Sequence, residues 1–150
     1  MLFFEDLEVG QVQMLPTVTV DEAAIVDFAR RYDPQPMHLD PVAAAESAFG
    51  GLVASGWHTC AVSMRMLADW FRQAEFQGMG SPGLESVRWL APVRPGDVLT
   101  GSFEILEKRL SRSKPMGFIK QNLELRNQQG EVVLRSIGFG IVRCRQEARA

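Results

Sequence analysis

The sequence predicts an α+β fold in which a strongly curved antiparallel sheet surrounds one long helix. Three observations predict it. Residues 56–73 carry apolar side chains on most sides at helical spacing, so this helix must be wrapped rather than laid on a surface. From residue 84 onward the apolar residues recur with period two. Short turns separate those segments, and strands joined by short turns run antiparallel. An antiparallel sheet needs one face covered, and the long helix is the only element large enough to cover it.

The elements follow in chain order. Residues 11–18, QVQMLPTV, read as a short strand, moved toward a sheet edge by Pro16, which has no N–H to give a ladder. In TVDE, Thr19 is placed to cap a helix and Glu22 to reach back and close a capping box. That helix runs from Val20 to about Arg31, with Val20, Ala24 and Phe28 on its buried face. It ends before Pro34, because a residue preceding proline avoids the helical region. A second, short helix begins at Pro41 behind Asp40 as its cap. VAAAESAF continues it and Gly50-Gly51 stops it.

Ser55 caps the third helix, which runs from Gly56 to about Gln73. Trp57, Cys60, Ala61, Met64, Leu67, Ala68 and Phe71 share one face, and Val62, Met66 and Trp70 widen it. At 1.5 Å per residue it spans roughly 25 Å, about the width of a small sheet. A GMGSPG linker leads to the strand LESVRW and then to a turn at residues 94–97, RPGD. VLTGSFEILEKR is a long strand with Leu99, Phe103 and Ile105 on one face. GFIKQNLELR alternates likewise, NQQG turns the chain, and EVVLRSIGFGIVR is the last long strand.

Composition bounds the class. A chain of 150 residues with 46% apolar content suits one domain, residues 1–150, with a real core. The net charge of −2 and a pI of about 5.7 give no electrostatic case for nucleic acid as partner. Cys60 and Cys144 stand at unrelated places without metal spacing, which fits reduced thiols in the cytoplasm. The first ten residues, MLFFEDLEVG, lack the basic start of a secretory signal and are broken by Glu5 and Asp6. No apolar stretch is long enough to span a bilayer, so no membrane partner is expected.

The candidate chemistry lies in YDPQPMHLD, residues 32–40. Pro34 and Pro36 bias Asp33 and Gln35 toward extended backbone. Were the stretch polyproline II throughout, the Cα atoms of Asp33 and His38 would stand roughly 15 Å apart, too far to grip one water. An acid/base pair therefore requires a bend near Pro36 and Met37. The alternative is that Asp33 terminates the first helix while His38 packs as a half-buried ring. Asp40 is explained as a cap. His58, at the third helical position, reads as a packed ring kept neutral by the positive end of the helix dipole. Asp69 reads as a solvent-facing or helix-pairing charge. GGLVASGWHT brings a helix N-terminus into the chain soon after the Asp/His loop. The N–H of Gly56 or Trp57 there could polarise a thioester carbonyl, with glycine permitting close approach.

Taken together these residues resemble the MaoC-like hydratases, (R)-specific enoyl-CoA hydratases of the hotdog fold. The family signature reads approximately G-D-x-N-P-[LIV]-H, then five residues and a small one. Here the stretch is Y-D-P-Q-P-M-H-L-D-P-V-A-A, with Asp33, Pro36, His38 and Ala44 at the matching positions. VASGWHT looks like the family's start of the central helix, and APVRPGDVL like its strand–turn–strand. The resemblance covers most of the chain. It implies reversible hydration of a trans-2-enoyl thioester, with Asp33 and His38 sharing the acid and base roles through one water. It also implies Gly56 as oxyanion donor with Ser55 and Trp57 beside it at the substrate, no cofactor, and a homodimer with the acyl tunnel between subunits. Two positions depart from the signature: Tyr32 replaces its glycine and Gln35 its asparagine, which bears on substrate more than on fold. Two rivals share the scaffold. One is an acyl-CoA thioesterase, which would need a carboxylate on or near the start of the central helix. The other is a non-catalytic dimer that binds acyl thioesters. KRLSRSK, residues 108–114, reads as a solvated hairpin loop or as a contact for CoA phosphates or an acidic carrier protein.

Overall fold

The computed structural model describes residues 1–145, and in it six antiparallel strands form one sheet curled around an 18-residue helix. The strands are β1 (Val12–Val20), β2 (Gly78–Gly80), β3 (Leu84–Trp89), β4 (Asp97–Leu110), β5 (Met116–Arg126) and β6 (Val132–Arg143). They lie in the order β1-β4-β5-β6, and β6 pairs β3 along one part of its length and β2 along another. The helices are α1 (Glu22–Tyr32), α2 (Pro36–Leu39), α3 (Pro41–Glu46) and α4 (Gly56–Gln73). This is the hotdog arrangement implied by the resemblance, with α4 as the filling.

Alternation builds the core. Leu99, Phe103 and Ile105 of β4 and Ile119, Leu123 and Leu125 of β5 point inward and are buried. They meet Met66, Leu67 and Trp70 of α4. The Trp70 ring stands edge-on to Phe103 with centroids 4.8 Å apart. Gly101 on β4 makes room there: a Cβ at that position would come within 2.9 Å of Leu125 Cδ2 and of Met66 Cε. Bends in the ladder help the sheet to curl. The register shifts between Ile105 and Glu107 where β4 meets β5, and between Leu15 and Val18 where β1 meets β4. The second shift spans Pro16, and β1 is an edge strand, as the missing N–H of proline predicts.

Local expectations need several corrections. Thr19 does not cap α1; it lies in β1, paired with Val98. Asp21 is the cap, its Oδ1 accepting from the Ala24 N–H at 2.7 Å, and the helix starts at Glu22. The frame therefore shifts, and Ile25 and Ala29 form the buried face of α1 while Ala24 is exposed. We expect Asp21→Ala to cost about 1 kcal/mol in denaturant unfolding. Thr19→Ala, on an exposed strand position, should stay within about 0.5 kcal/mol of the parent. On α3, the helix stops at Glu46 rather than running to Gly50; Ser47 Oγ bonds the Ala44 carbonyl and ends it. β2 was not expected in the glycine-rich linker.

The largest correction is the face of α4. Thr59, Ser63, Met66, Leu67 and Trp70 are buried, while Trp57, Ala61, Met64 and Ala68 face outward. Polar Ser63 can go inside because its hydroxyl bonds the Cys60 carbonyl at 2.7 Å, within the helix itself. No helix among the described residues is long and apolar enough to cross a membrane.

Candidate active site

The loop of residues 32–40 does bend, and it bends by becoming helical. Asp33 ends α1, its N–H donating to Ala29 O at 2.9 Å. Three residues on, Pro36 starts the single turn α2 at the first helical position, where its missing N–H leaves nothing unpaired. That turn swings His38 back toward Asp33. The Asp40 carboxylate then caps α3, accepting from Val42 N–H at 2.9 Å. Both readings of this loop thus hold in part: Asp33 terminates a helix, and it also meets His38.

A second segment completes the site. Leu52–Ser55 runs buried between the loop and the turn before β4. Val53 N–H donates to Met37 O at 3.1 Å and Ala54 N–H to Val93 O at 2.8 Å. These bonds fix the Val53 carbonyl 2.7 Å from His38 Nδ1. A carbonyl can only accept, so Nδ1 carries a proton in either charge state of the ring. In the neutral imidazole the lone pair is then on Nε2, which lies 3.4 Å from Asp33 Oδ2.

Asp33 is itself held on both oxygens. Ser55 Oγ donates to Oδ2 and Gln35 Nε2 donates to Oδ1, each at 2.6 Å. Gln35, which replaces the signature asparagine, therefore does reach the aspartate. The hydrogen bond from Ser55 first, then that from Gln35, holds the Asp33 carboxyl below its ordinary value against the opposing effect of burial; the nearby His38 adds to the lowering. Asp33 is consequently ionised at neutral pH.

Ser55 also caps α4, its Oγ accepting from Trp57 N–H at 3.3 Å. That engages one of the two candidate oxyanion donors. The Gly56 N–H makes no hydrogen bond among the described residues. Glycine is required at 56 for a different reason from the one the sequence suggested. A Cβ would fall 2.6 Å from Trp89 Cε2, so the indole lies flat on the helix start. Trp89 Nε1 donates to Gly56 O at 2.8 Å, and Trp57 stands edge-on to Trp89.

Asp33, His38, Gly56, Trp57, Trp89 and Phe49 line a cavity of about 460 Å³. Its polar end is the Asp/His pair and its walls are aromatic and aliphatic. With the His38 ring neutral, the geometry offers two acceptors facing each other, a free N–H at a helix N-terminus, and apolar walls. Trp89 and the Val53 carbonyl escaped the sequence reading. The period-two placement of β3 was the available signal for Trp89.

The other singled-out residues lie elsewhere. The His58 ring is buried and stacks on Phe28 at 4.9 Å, and burial holds its imidazole below the ordinary value while Asp21 opposes. It packs as expected, with burial as the main cause of neutrality. Asp69 pairs along the helix with Arg65 at 2.9 Å and Arg72 at 3.2 Å. Lys108 of the basic segment donates to Phe4 O at 3.0 Å and sits over the Phe4 ring, so it is spent on packing the N-terminal turn. Among the described residues no group of three or more His, Cys, Asp or Glu is placed to hold a metal ion.

Comparison with known proteins adds the following. A family model described as "MaoC like domain" matches residues 6–126. A solved structure of the MaoC-like dehydratase from Rhodospirillum rubrum is similar with a TM-score of 0.87 and 39% identity, covering 98% of this chain and all of that one. Uncharacterized protein YdeM of Bacillus subtilis is 30% identical over 128 residues, 83% of this chain and 87% of its own length. The 3-hydroxybutyryl-CoA dehydratase of Methylorubrum extorquens is 32% identical over 108 residues, 71% of this chain and 65% of its own length.

Proposed function

The chain belongs to the MaoC-like domain family, and from that premise we propose that it is a hydro-lyase: it reversibly hydrates a trans-2-enoyl thioester to a 3-hydroxyacyl thioester. The observation that carries this reading is the pairing of His38 Nε2 with Asp33 Oδ2 across 3.4 Å. Two acceptors cannot bond each other. A water can donate one O–H to each, which leaves its oxygen lone pairs free to attack. The name of the Methylorubrum relative supports the same chemistry for a four-carbon thioester.

The steps balance without a further reactant. The water oxygen bonds the β-carbon of the enoyl group while the Asp33–His38 pair takes a proton from it. The electrons of the double bond move toward the thioester oxygen. The Gly56 N–H stabilises that developing charge, at the positive end of α4. The pair then returns a proton to the α-carbon on the same face, giving syn addition. The first proton is assigned to the pair rather than to either member. Ser55 and Gln35 keep the carboxylate charged and aimed; Trp57 walls the cavity beside the thioester.

Gln35 is a positioning residue in this scheme. Gln35→Ala should lower kcat/KM about ten- to a hundredfold, the worth of one hydrogen bond to a charged group, mostly in kcat. Gln35→Asn, which restores the family amide, should recover part of the loss.

The thioesterase reading is disfavoured by α4, whose first turn carries no acid and whose Asp69 is paired to two arginines. The binding-module reading is disfavoured by an ionised Asp33 carboxylate aimed at a ring nitrogen 3.4 Å away, an arrangement that binding alone does not require. One sample assayed for loss of the enoyl absorbance, for thiol release and for bare binding separates the three. Hydration of crotonyl-CoA without thiol release is the expected result; thiol release alone would assign the thioesterase.

We also propose that the chain forms a homodimer and acts in the cytoplasm on a CoA or carrier-protein thioester. Met64 on α4, Leu84 and Trp89 on β3 and the adjoining Leu90 leave apolar surface exposed beside a sheet edge. Sedimentation should give twice the chain mass.

A further inference from the structure

A second cavity, of about 190 Å³, lies between α4 and the sheet. Cys60, Ser63 and Met64 line its helix side, and Val87, Gln121 and Ser136 line its sheet side. It is about the size that holds a benzene-sized apolar ligand. The two cavities are neighbours along α4 and β3: Gly56 and Thr59 line the one with the Asp/His pair and Cys60 and Ser63 the second, while Trp89 lines the first and Val87 the second. Trp89 lines the outer cavity, rests on Gly56 and bonds its carbonyl. One helical turn further on, the Cys60 thiol, a wall of the inner cavity, lies beside the same ring. Val87, two residues before Trp89 on β3, is the inner wall on the strand side.

We propose that Trp89 sets the acyl-chain limit of this protein. The indole closes the inner end of the site, so the parent accepts short acyl groups, and removing the ring joins the two cavities into one channel for longer chains. The proposal rests on reading the outer cavity as an acyl-thioester site and adds the residue that determines its depth. The ring is well suited to this role. Its Nε1 bonds Gly56 O, and its edge-on partner Trp57 is exposed, so the side of the ring toward Trp57 is not locked by core packing.

The second cavity has both apolar and polar walls. Its walls include Ser63, Gln121 and Ser136, but the Ser63 hydroxyl is already bonded to the helix carbonyl of Cys60. A methylene chain can therefore lie along Leu67, Leu84 and Leu123 without stranding that hydroxyl.

The test is calorimetric binding of saturated acyl-CoAs, butyryl against decanoyl, to the full chain, to Trp89→Ala and to Trp89→Phe. Saturated chains cannot be hydrated, so the measurement is independent of turnover. The ratio of decanoyl to butyryl association constants should rise about tenfold or more in Trp89→Ala, the gain from burying two further methylenes. Trp89→Phe should give an intermediate ratio, which guards against a folding defect in the alanine variant. Adding Ser136→Leu to Trp89→Ala should refill the inner cavity and cancel the gain. An unchanged ratio in both single variants overturns the proposal, as does a parent that already binds decanoyl-CoA more tightly than butyryl-CoA, or binds neither. Loss of crotonyl-CoA hydration alone, with the binding ratios as expected, would instead remove the hydratase reading and leave Trp89 as the depth stop.

Discussion

Asp33→Asn is expected to lower kcat/KM for crotonyl-CoA hydration by about a thousandfold, the middle of the range for a positioned acid/base group. The variant keeps the shape of the side chain and the backbone bond to Ala29 that ends α1. What it changes is polarity. Ser55 Oγ must donate to one oxygen of the group, and Gln35 Nε2 now donates to the other. An amide has only one acceptor, so its NH₂ faces either the Gln35 amide or the His38 Nε2 lone pair. Turned toward His38, it puts a donor where a water hydrogen belongs, and the water loses both of its acceptors. Turned away, it sets two amide NH₂ groups against each other. Either way the grip fails while the fold stays.

His38→Ala should cost as much activity and some stability too. It leaves Val53 O without its 2.7 Å partner, a loss of about 1–3 kcal/mol for a buried acceptor. Activity should therefore be read well below the midpoint of thermal unfolding. The check is an enoyl-absorbance assay alongside far-ultraviolet circular dichroism on each variant. Parent-like hydration by either would sink the Asp/His assignment.

Much of the sheet was legible because its signal is local. Alternation over β3, β4 and β5 requires no knowledge of partners: it groups Leu99, Phe103 and Ile105 on β4 and Ile119, Gln121, Leu123 and Leu125 on β5, and all of these are buried except Gln121, which is half-buried. Caps such as Asp40 and Ser55 were legible for the same reason. TVDE was not, because Thr19 and Asp21 are both good caps, and pairing of Thr19 with Val98, far away in sequence, decides between them. The face of α4 was hidden by a related ambiguity. Periodicity locates an apolar stripe but not which of two apolar sides meets the sheet, and hydroxyls satisfied inside the helix let Thr59 and Ser63 turn inward.

The site divides along the same line. Residue types and spacing pointed to Asp33 and His38, yet an extended chain would have kept them apart. Closure depends on α2 and on Val53, which fixes the ring from 15 residues away in sequence. The strand pattern of β3 placed Trp89 but not its role, which comes from resting on Gly56 across 33 residues.

Ser55→Ala should show how far the carboxylate depends on its neighbours, through a stability loss that itself depends on pH. Ser55 is almost fully buried and its hydroxyl does two things: it accepts from Trp57 N–H and donates to Asp33 Oδ2. Losing the first is loss of a helix cap, about 1 kcal/mol. Losing the second removes a hydrogen bond to a charged group, about 1.5–3 kcal/mol. Only the second involves a proton. Ser55 is the largest cause of the lowered Asp33 value, and a group lowered by folding contributes stability above its unfolded value, near 3.8. That contribution fades as pH falls through the lower folded value. The parent should therefore exceed Ser55→Ala by about 2.5–4 kcal/mol near neutral pH, and the gap should narrow toward about 1 kcal/mol in acid, where Asp33 is protonated in both and only the cap is missing. Urea unfolding at a series of pH values measures this directly. A gap that stays constant into acid would mean that the serine stabilises the helix alone and leaves the carboxylate to be held by Gln35.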